Sequence, residues 1–157
     1  MTNKDSPLFQ FYTAFQQKDA KTMGALYGED ATFEDPAFGK LNIDQVRAMW
    51  KMLIKRGGSD LKIEFEVLEE TEFVGKVIWQ AYYVFSKTKR PVHNIITANF
   101  KLANGKIVEH IDQFDFYRWS SQALGLPGRL LGWSPIMKNK VRKLSKKALE
   151  QYMRSDT

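Results

Sequence analysis

The sequence predicts an α+β domain in which a curved antiparallel sheet wraps around N-terminal helices, with an amphipathic helix added at the C-terminus. Three observations carry that prediction. Apolar residues recur at helical spacing in three stretches before residue 58. Four extended runs rich in β-branched and aromatic residues then follow. Helices followed by a strand meander favour segregated layers over alternating βαβ units.

The elements follow in chain order. Ser6-Pro7 is a helix start, with serine as the cap and proline at the first helical position. Leu8, Phe11, Tyr12 and Phe15 supply the buried stripe of that helix. Asp19 caps a second short helix that buries Met23, Leu26 and Tyr27. Asp30–Pro36 reads as a brief strand that stops on an acid before proline. A residue in that position is pushed into extended geometry, so Asp35 sits on a rigid strand end. Asn42 or Asp44 opens a third helix with the stripe Ile43, Val46, Met49, Trp50 and Leu53, and Gly57-Gly58 ends it.

The strands are expected at about 61–70, 73–87, 92–103 and 106–117. Asn104-Gly105 joins the last two as a two-residue hairpin, since both turn positions favour positive φ. Residues 87–91 form a polar turn between the second and third. Glu69, Glu70 and Glu72 fit a solvated hairpin end, and His93 fits an exposed position near Pro91. Residues 118–132 read as loose, broken by Gly125, Pro127, Gly128 and Gly132. Beyond them Met137, Val141, Leu144, Ala148 and Tyr152 share one face of a last helix, about 136–153.

A chain of 157 residues with 43% hydrophobic and 13% aromatic content fits one globular domain with a large core. Cysteine is absent, so disulfides and thiolate chemistry are excluded. No apolar leader core or spanning run is visible, and the expected location is cytoplasmic. The net charge of +6 is unevenly placed. From Arg118 onward nine basic side chains face two acidic ones, which leaves residues 1–117 at −1. The main body therefore gives no case for nucleic-acid binding. The basic tail reads as a solvated amphipathic cover or, alternatively, as a site for an acidic partner or anionic membrane surface. No phosphate-cradling glycine loop, nucleotide fingerprint or metal-ligand cluster is present, so no metal or cofactor is expected.

Asp19-Ala20-Lys21-Thr22-Met23, Leu26-Tyr27 and Ala31-Thr32-Phe33-Glu34-Asp35-Pro36 resemble the opening of the nuclear transport factor 2-like (cystatin-like) fold. The likeness is to its SnoaL-like and ketosteroid isomerase-like branch, and covers about residues 8–125. It implies a cone-shaped domain over residues 1–125, with residues 126–157 as a basic extension packed on or near it. It also implies an apolar small-molecule pocket and a homodimer formed through the outer face of the sheet. In ketosteroid isomerases the matching Glu-Asp-Pro carries the general-base aspartate, which nominates Asp35.

In the last strand successive side chains alternate. Ile107, Glu109, Ile111, Gln113 and Asp115 form one set; Val108, His110, Asp112, Phe114 and Phe116 form the other. Periodicity does not choose between them. The resemblance places His110, Asp112 and Phe114 toward the pocket, with Asn94, Ile96, Ala98 and Phe100 inward on the preceding strand. The candidate catalytic set is thus Asp35, Asp112 and His110. The candidate ligand-binding set is Phe11, Tyr12, Phe33, Trp50, Asn94, Ala98, Phe100 and Phe114.

Each residue also has a plainer reading. Asp35 fits a turn residue, Asp112 a sheet-edge acid paired with Arg118, and His110 a hydrogen-bonded strand histidine. The aromatic residues fit the core. Phe11 and Ala98 fall where ketosteroid isomerases keep hydrogen-bond donors to the enolate, and neither can donate. Tyr12, Asn94 or His110 would have to take over. The chemistry implied is cofactor-free proton transfer of isomerase or cyclase type on a carbonyl-containing ligand. The alternative is a non-catalytic carrier or interaction module. The stretch Leu130–Trp133 is expected to close over the cone's mouth.

Overall fold

The computed structural model describes residues 4–156. Helix α1 (Pro7–Gln16) begins where Ser6 accepts a hydrogen bond from the Phe9 N–H, with Pro7 in its first turn. Helix α2 (Ala20–Ala25) is capped by Asp19, whose carboxylate takes the Thr22 N–H and hydroxyl. Helix α3 (Ile43–Gly57) opens on a capping box. Asn42 accepts from the Gln45 N–H while the Gln45 side chain accepts from the Asn42 N–H.

Six strands form one sheet: β1 (Tyr27–Asp35), β2 (Gly39–Leu41), β3 (Lys62–Glu70), β4 (Val74–Phe85), β5 (Arg90–Ala103) and β6 (Lys106–Gln113). Their order is β2-β1-β6-β5-β4-β3. Every neighbouring pair is antiparallel except β1 and β6, which run parallel. The Asn104-Gly105 hairpin turn has φ of 53° and 74°, the positive values both positions were expected to need.

One face of this sheet closes on α1, α2 and α3. Phe11, Trp50, Phe33, Tyr27 and Phe100 meet there around His110, and burial of these rings supplies the main apolar driving force. Asn94, Ile96, Ala98 and Phe100 of β5 face inward as expected, with Asn94 half-buried and the other three buried.

Several local expectations change. The first strand begins at Tyr27 and is continued by the short hairpin partner β2, whose three residues are too few to show a period. The last strand ends at Gln113. Asp115 accepts the Arg118 N–H and starts helix α4 (Phe116–Leu124), so Phe116 lies on a helix. Helix α5 (Leu126–Leu131) follows, replacing the loose segment expected there. Helix α6 spans Pro135–Ser155, capped by Ser134.

Val108 is 37% exposed while Ile107 is fully buried, the reverse of the assigned faces. A bulge explains it: Leu102 pairs with Ile107 but Lys101 pairs with Glu109, so Val108 is skipped and the alternation resets before His110. His93 is half-buried, stacked on Tyr82 with its Nε2 against the Gln80 amide oxygen. Glu70 is also half-buried, and its carboxylate accepts the Leu8 N–H at the start of α1. Among the described residues no helix is long and apolar enough to cross a membrane.

Candidate active site

Asp35 ends β1 and lines a cavity of about 530 Å³. Its Oδ1 accepts the Phe38 N–H at 2.6 Å, which locks the carboxyl into the turn between β1 and β2. Burial, chiefly, lifts its pKa from 3.8 to about 7. The Phe38 N–H and the Arg142 charge pull it down, while the charge of Asp112 pushes it up. Both carboxylates line the same cavity.

Asp112 is buried on β6 and lines the same cavity. Its Oδ1 accepts two hydrogen bonds, from His110 Nε2 at 2.8 Å and from Trp79 Nε1 at 3.3 Å. Its Oδ2 is left without a protein donor among the described residues. Arg118, the alternative partner, lies exposed on α4.

His110 is fully buried and does not line the cavity; it stands behind Asp112. Its Nδ1 lies 2.8 Å from the Tyr27 hydroxyl, and that hydroxyl accepts from Trp50 Nε1 at 2.9 Å. Because Trp50 only donates, the Tyr27 proton is directed to His110 Nδ1. The imidazole proton then sits on Nε2 and is donated to Asp112. One chain, Trp50 to Tyr27 to His110 to Asp112, fixes both the ring tautomer and the carboxylate.

The remaining expected residues divide cleanly. Trp50, Asn94 and Phe114 line the cavity; Phe11, Tyr12, Phe33, Ala98 and Phe100 are buried in the core outside its wall. The Tyr12 hydroxyl is buried with no hydrogen-bond partner among the described residues. The Leu130–Trp133 stretch does not cover the mouth. Leu130, Leu131 and Trp133 are exposed, and α6 provides the wall instead through Met137, Lys140, Val141, Leu144, Ser145 and Ala148.

Sequence reasoning did not single out Tyr83 as a donor. It lies on β4 in phase with Val77, Trp79 and Ala81, the inward residues of that strand, and it lines the cavity. Trp119 Nε1 of α4 donates to its oxygen at 2.8 Å, which leaves the phenolic proton free to donate elsewhere. Burial, above all, pushes its pKa up to about 12, so it holds that proton throughout the neutral range. The charge of Asp35, which lines the same cavity, adds to the shift. The signal was available in the strand's alternation; its partner Trp119 carried none.

Arg142 of α6 reaches the same corner. Its side chain packs against Gly39, one Nη lies 3.5 Å from the Pro36 carbonyl oxygen, and its Nε is buried without a hydrogen-bond partner among the described residues. Among the described residues no group of His, Asp or Glu side chains is arranged to hold a metal ion.

Residues 8–110 match the family model described as the SnoaL-like domain. The chain belongs to that family. No curated protein matches this SnoaL-like chain. Among solved structures it is similar to a protein from Catenulispora acidiphila with a ketosteroid isomerase-like fold, in complex with trimethylamine. The TM-score is 0.65 at 15% identity, covering 85% of this chain and 100% of that one. IdmH from Streptomyces antibioticus, provisionally a polyketide cyclase, aligns with a TM-score of 0.62 at 18% identity over 76% of this chain and 96% of that one. An epoxide hydrolase from M. tuberculosis, of the LEH-like type, gives 0.58 at 17% identity over 80% and 92%. At these identities the likeness concerns the fold of the SnoaL-like domain.

Proposed function

We propose that this SnoaL-like protein catalyses cofactor-free proton transfer on an apolar small molecule carrying a carbonyl oxygen, as an isomerase or cyclase. The observation that carries the reading is the pairing of Asp35, with a pKa near 7, and a donor-anchored Asp112 in one apolar cavity. A carboxylate with its pKa close to the working pH is a good proton acceptor that can also give the proton back.

In this reading Asp35 takes a proton from the carbon beside the carbonyl. The charge that develops on the substrate oxygen is met by the Tyr83 hydroxyl and by the Asn94 amide. Asp112 raises the basicity of Asp35 through its charge, and His110 orients Asp112 without touching substrate. The proton returns to a different carbon in an isomerisation; in a cyclisation the enolate carbon attacks a second carbonyl, whose π bond opens to an alkoxide that takes the proton back from Asp35. Tyr83 takes the donor role that Phe11 and Ala98 cannot fill.

The test is a turnover screen with ketones and 1,3-dicarbonyl compounds on the wild type and three variants. Asp35→Asn and Asp112→Asn are expected to keep ligand binding and lose turnover. Tyr83→Phe is expected to lower kcat by about 10²–10³ with little change in KM. Unchanged turnover in both aspartate variants would sink the reading.

A carrier is the second reading, favoured by the absence of donors at Phe11 and Ala98. Thermal stabilisation by a ligand that is never converted would support it. Two further elements belong to the proposal. One is a homodimer through the outer sheet face, supported by the exposed Ile95 and Val108. The other is the treatment of residues 126–157 as an extension that completes a cone formed by residues 1–125.

A further inference from the structure

The α5–α6 elbow leaves an unusual set of side chains in solvent. Leu126 and Leu130 lie one helical turn apart on α5, Trp133 sits in the connection, and Ile136 lies in the first turn of α6. Trp133 is 68% exposed and Ile136 81%. The Trp133 indole N–H is already satisfied, donating to the Leu130 carbonyl at 2.9 Å, so its ring can leave water without stranding a donor. Single exposed apolar residues are ordinary; a contiguous group of large ones marks a contact surface.

The stretch of chain that carries this tip has charge of one sign. Between Phe116 and Leu149 the sequence has eight basic residues and no acidic one. Lys140, Lys143 and Lys147 follow Ile136 along one exposed face of α6, and Arg129 lies exposed beside Leu130. We infer that the elbow is a peripheral docking site for an anionic lipid bilayer, with Leu126, Leu130, Trp133 and Ile136 entering the headgroup–acyl boundary and the lysines of α6 resting on the lipid charges.

Three considerations favour this occupant. Apolar tip and basic face adjoin, the combination that interfacial binding requires. A second copy of this chain would press two uncompensated basic faces together. Lysine outnumbers arginine by five to three in the segment, and lysine is depleted in protein–protein interfaces, which argues against a discrete acidic protein partner. The inference does not rest on the catalytic reading, because none of the four apolar tip residues lines the cavity.

The experiment is co-sedimentation with vesicles of phosphatidylcholine alone and of phosphatidylcholine mixed equally with phosphatidylglycerol. Ile136→Asp and Leu130→Asp serve as variants, with circular dichroism and melting to check their folds. The expected result is binding to the anionic vesicles on the order of tenfold tighter than to the neutral ones. It should weaken by a similar factor in each variant and fall as salt is raised. Four outcomes would overturn the inference: no binding to anionic vesicles; binding untouched by both variants; a doubled solution mass that Ile136→Asp abolishes; or equally tight capture of polyglutamate.

Discussion

Tyr27 is the residue through which the inner hydrogen-bond chain passes, since its one hydroxyl serves both Trp50 and His110. Replacing it with phenylalanine keeps the ring packing and strands two buried polar nitrogens. Tyr27→Phe should therefore cost about 1–3 kcal/mol, read as a lowered urea midpoint at unchanged m-value. An unchanged midpoint would mean that the chain is not anchored there. At this scale the sequence was informative only where local rules act. Proline after Asp35 marked a strand end, but alternation left both faces of the last strand open, and it was the family resemblance that turned Asp35 and Asp112 toward a pocket. Tyr27 was legible as an apolar helix-side residue but not as a partner of His110, because 83 positions separate them and no spacing encodes the contact. The skipped Val108 was equally hidden, since Ile107-Val108 reads as apolar on both faces and only pairing with β5 reveals the bulge.

Helices α4 and α5 approach so closely that only a hydrogen fits between them. A Cβ built on Gly128 would meet the Ser120 carbonyl oxygen at 1.9 Å, and backbone cannot yield as a side-chain tip does. Gly128→Ala should cost about 1–3 kcal/mol and disturb the α4 wall that holds Trp119 against Tyr83. The checks are a lowered melting temperature and, in the catalytic reading, reduced turnover. A variant as stable as wild type would show that α5 shifts freely. These two helices were missed because glycine and proline usually break helices. Here Pro127 sits in the first turn, where its missing N–H costs nothing, and Gly128 is kept for close approach. The capping signal of Asp115 was present in the sequence; it was outweighed by the apolar run Phe114–Tyr117, which also suits a strand. Ser6, Asp19 and Asn42 announced their helices because capping is a local event.

For the molecule as a whole, a cavity large enough for a ligand stores a stability cost in Asp35. The unfolded carboxyl has the ordinary value near 3.8 and the folded one about 7, so the native state holds a proton that the unfolded state releases between those values. Stability from this group is therefore intact below about pH 4, declines as the pH climbs toward 7, and levels off above it. Asp35→Asn, which mimics the protonated form, should melt with wild type at pH 4 and above it at pH 8. Equal melting at both pH values would refute the shift. The α+β layering was legible because the helix-then-meander order is global and redundant, whereas the family was legible only in short motifs such as that of residues 31–36. The placement of α6 over the cavity was not, because its apolar face named no partner.

Gly39 and Arg142 give one more consequence. The Arg142 side chain fits against a glycine that has φ of 71° and no room for a Cβ, and its charge draws down the pKa of Asp35. The acid strength of a residue near the N-terminus is thus set in part from a helix more than a hundred positions later. Natural variation in α6 can retune the proton affinity of Asp35 while the inner wall of β-strands and aromatic rings stays as it is. Two homologues with identical cavities need not share a pH profile.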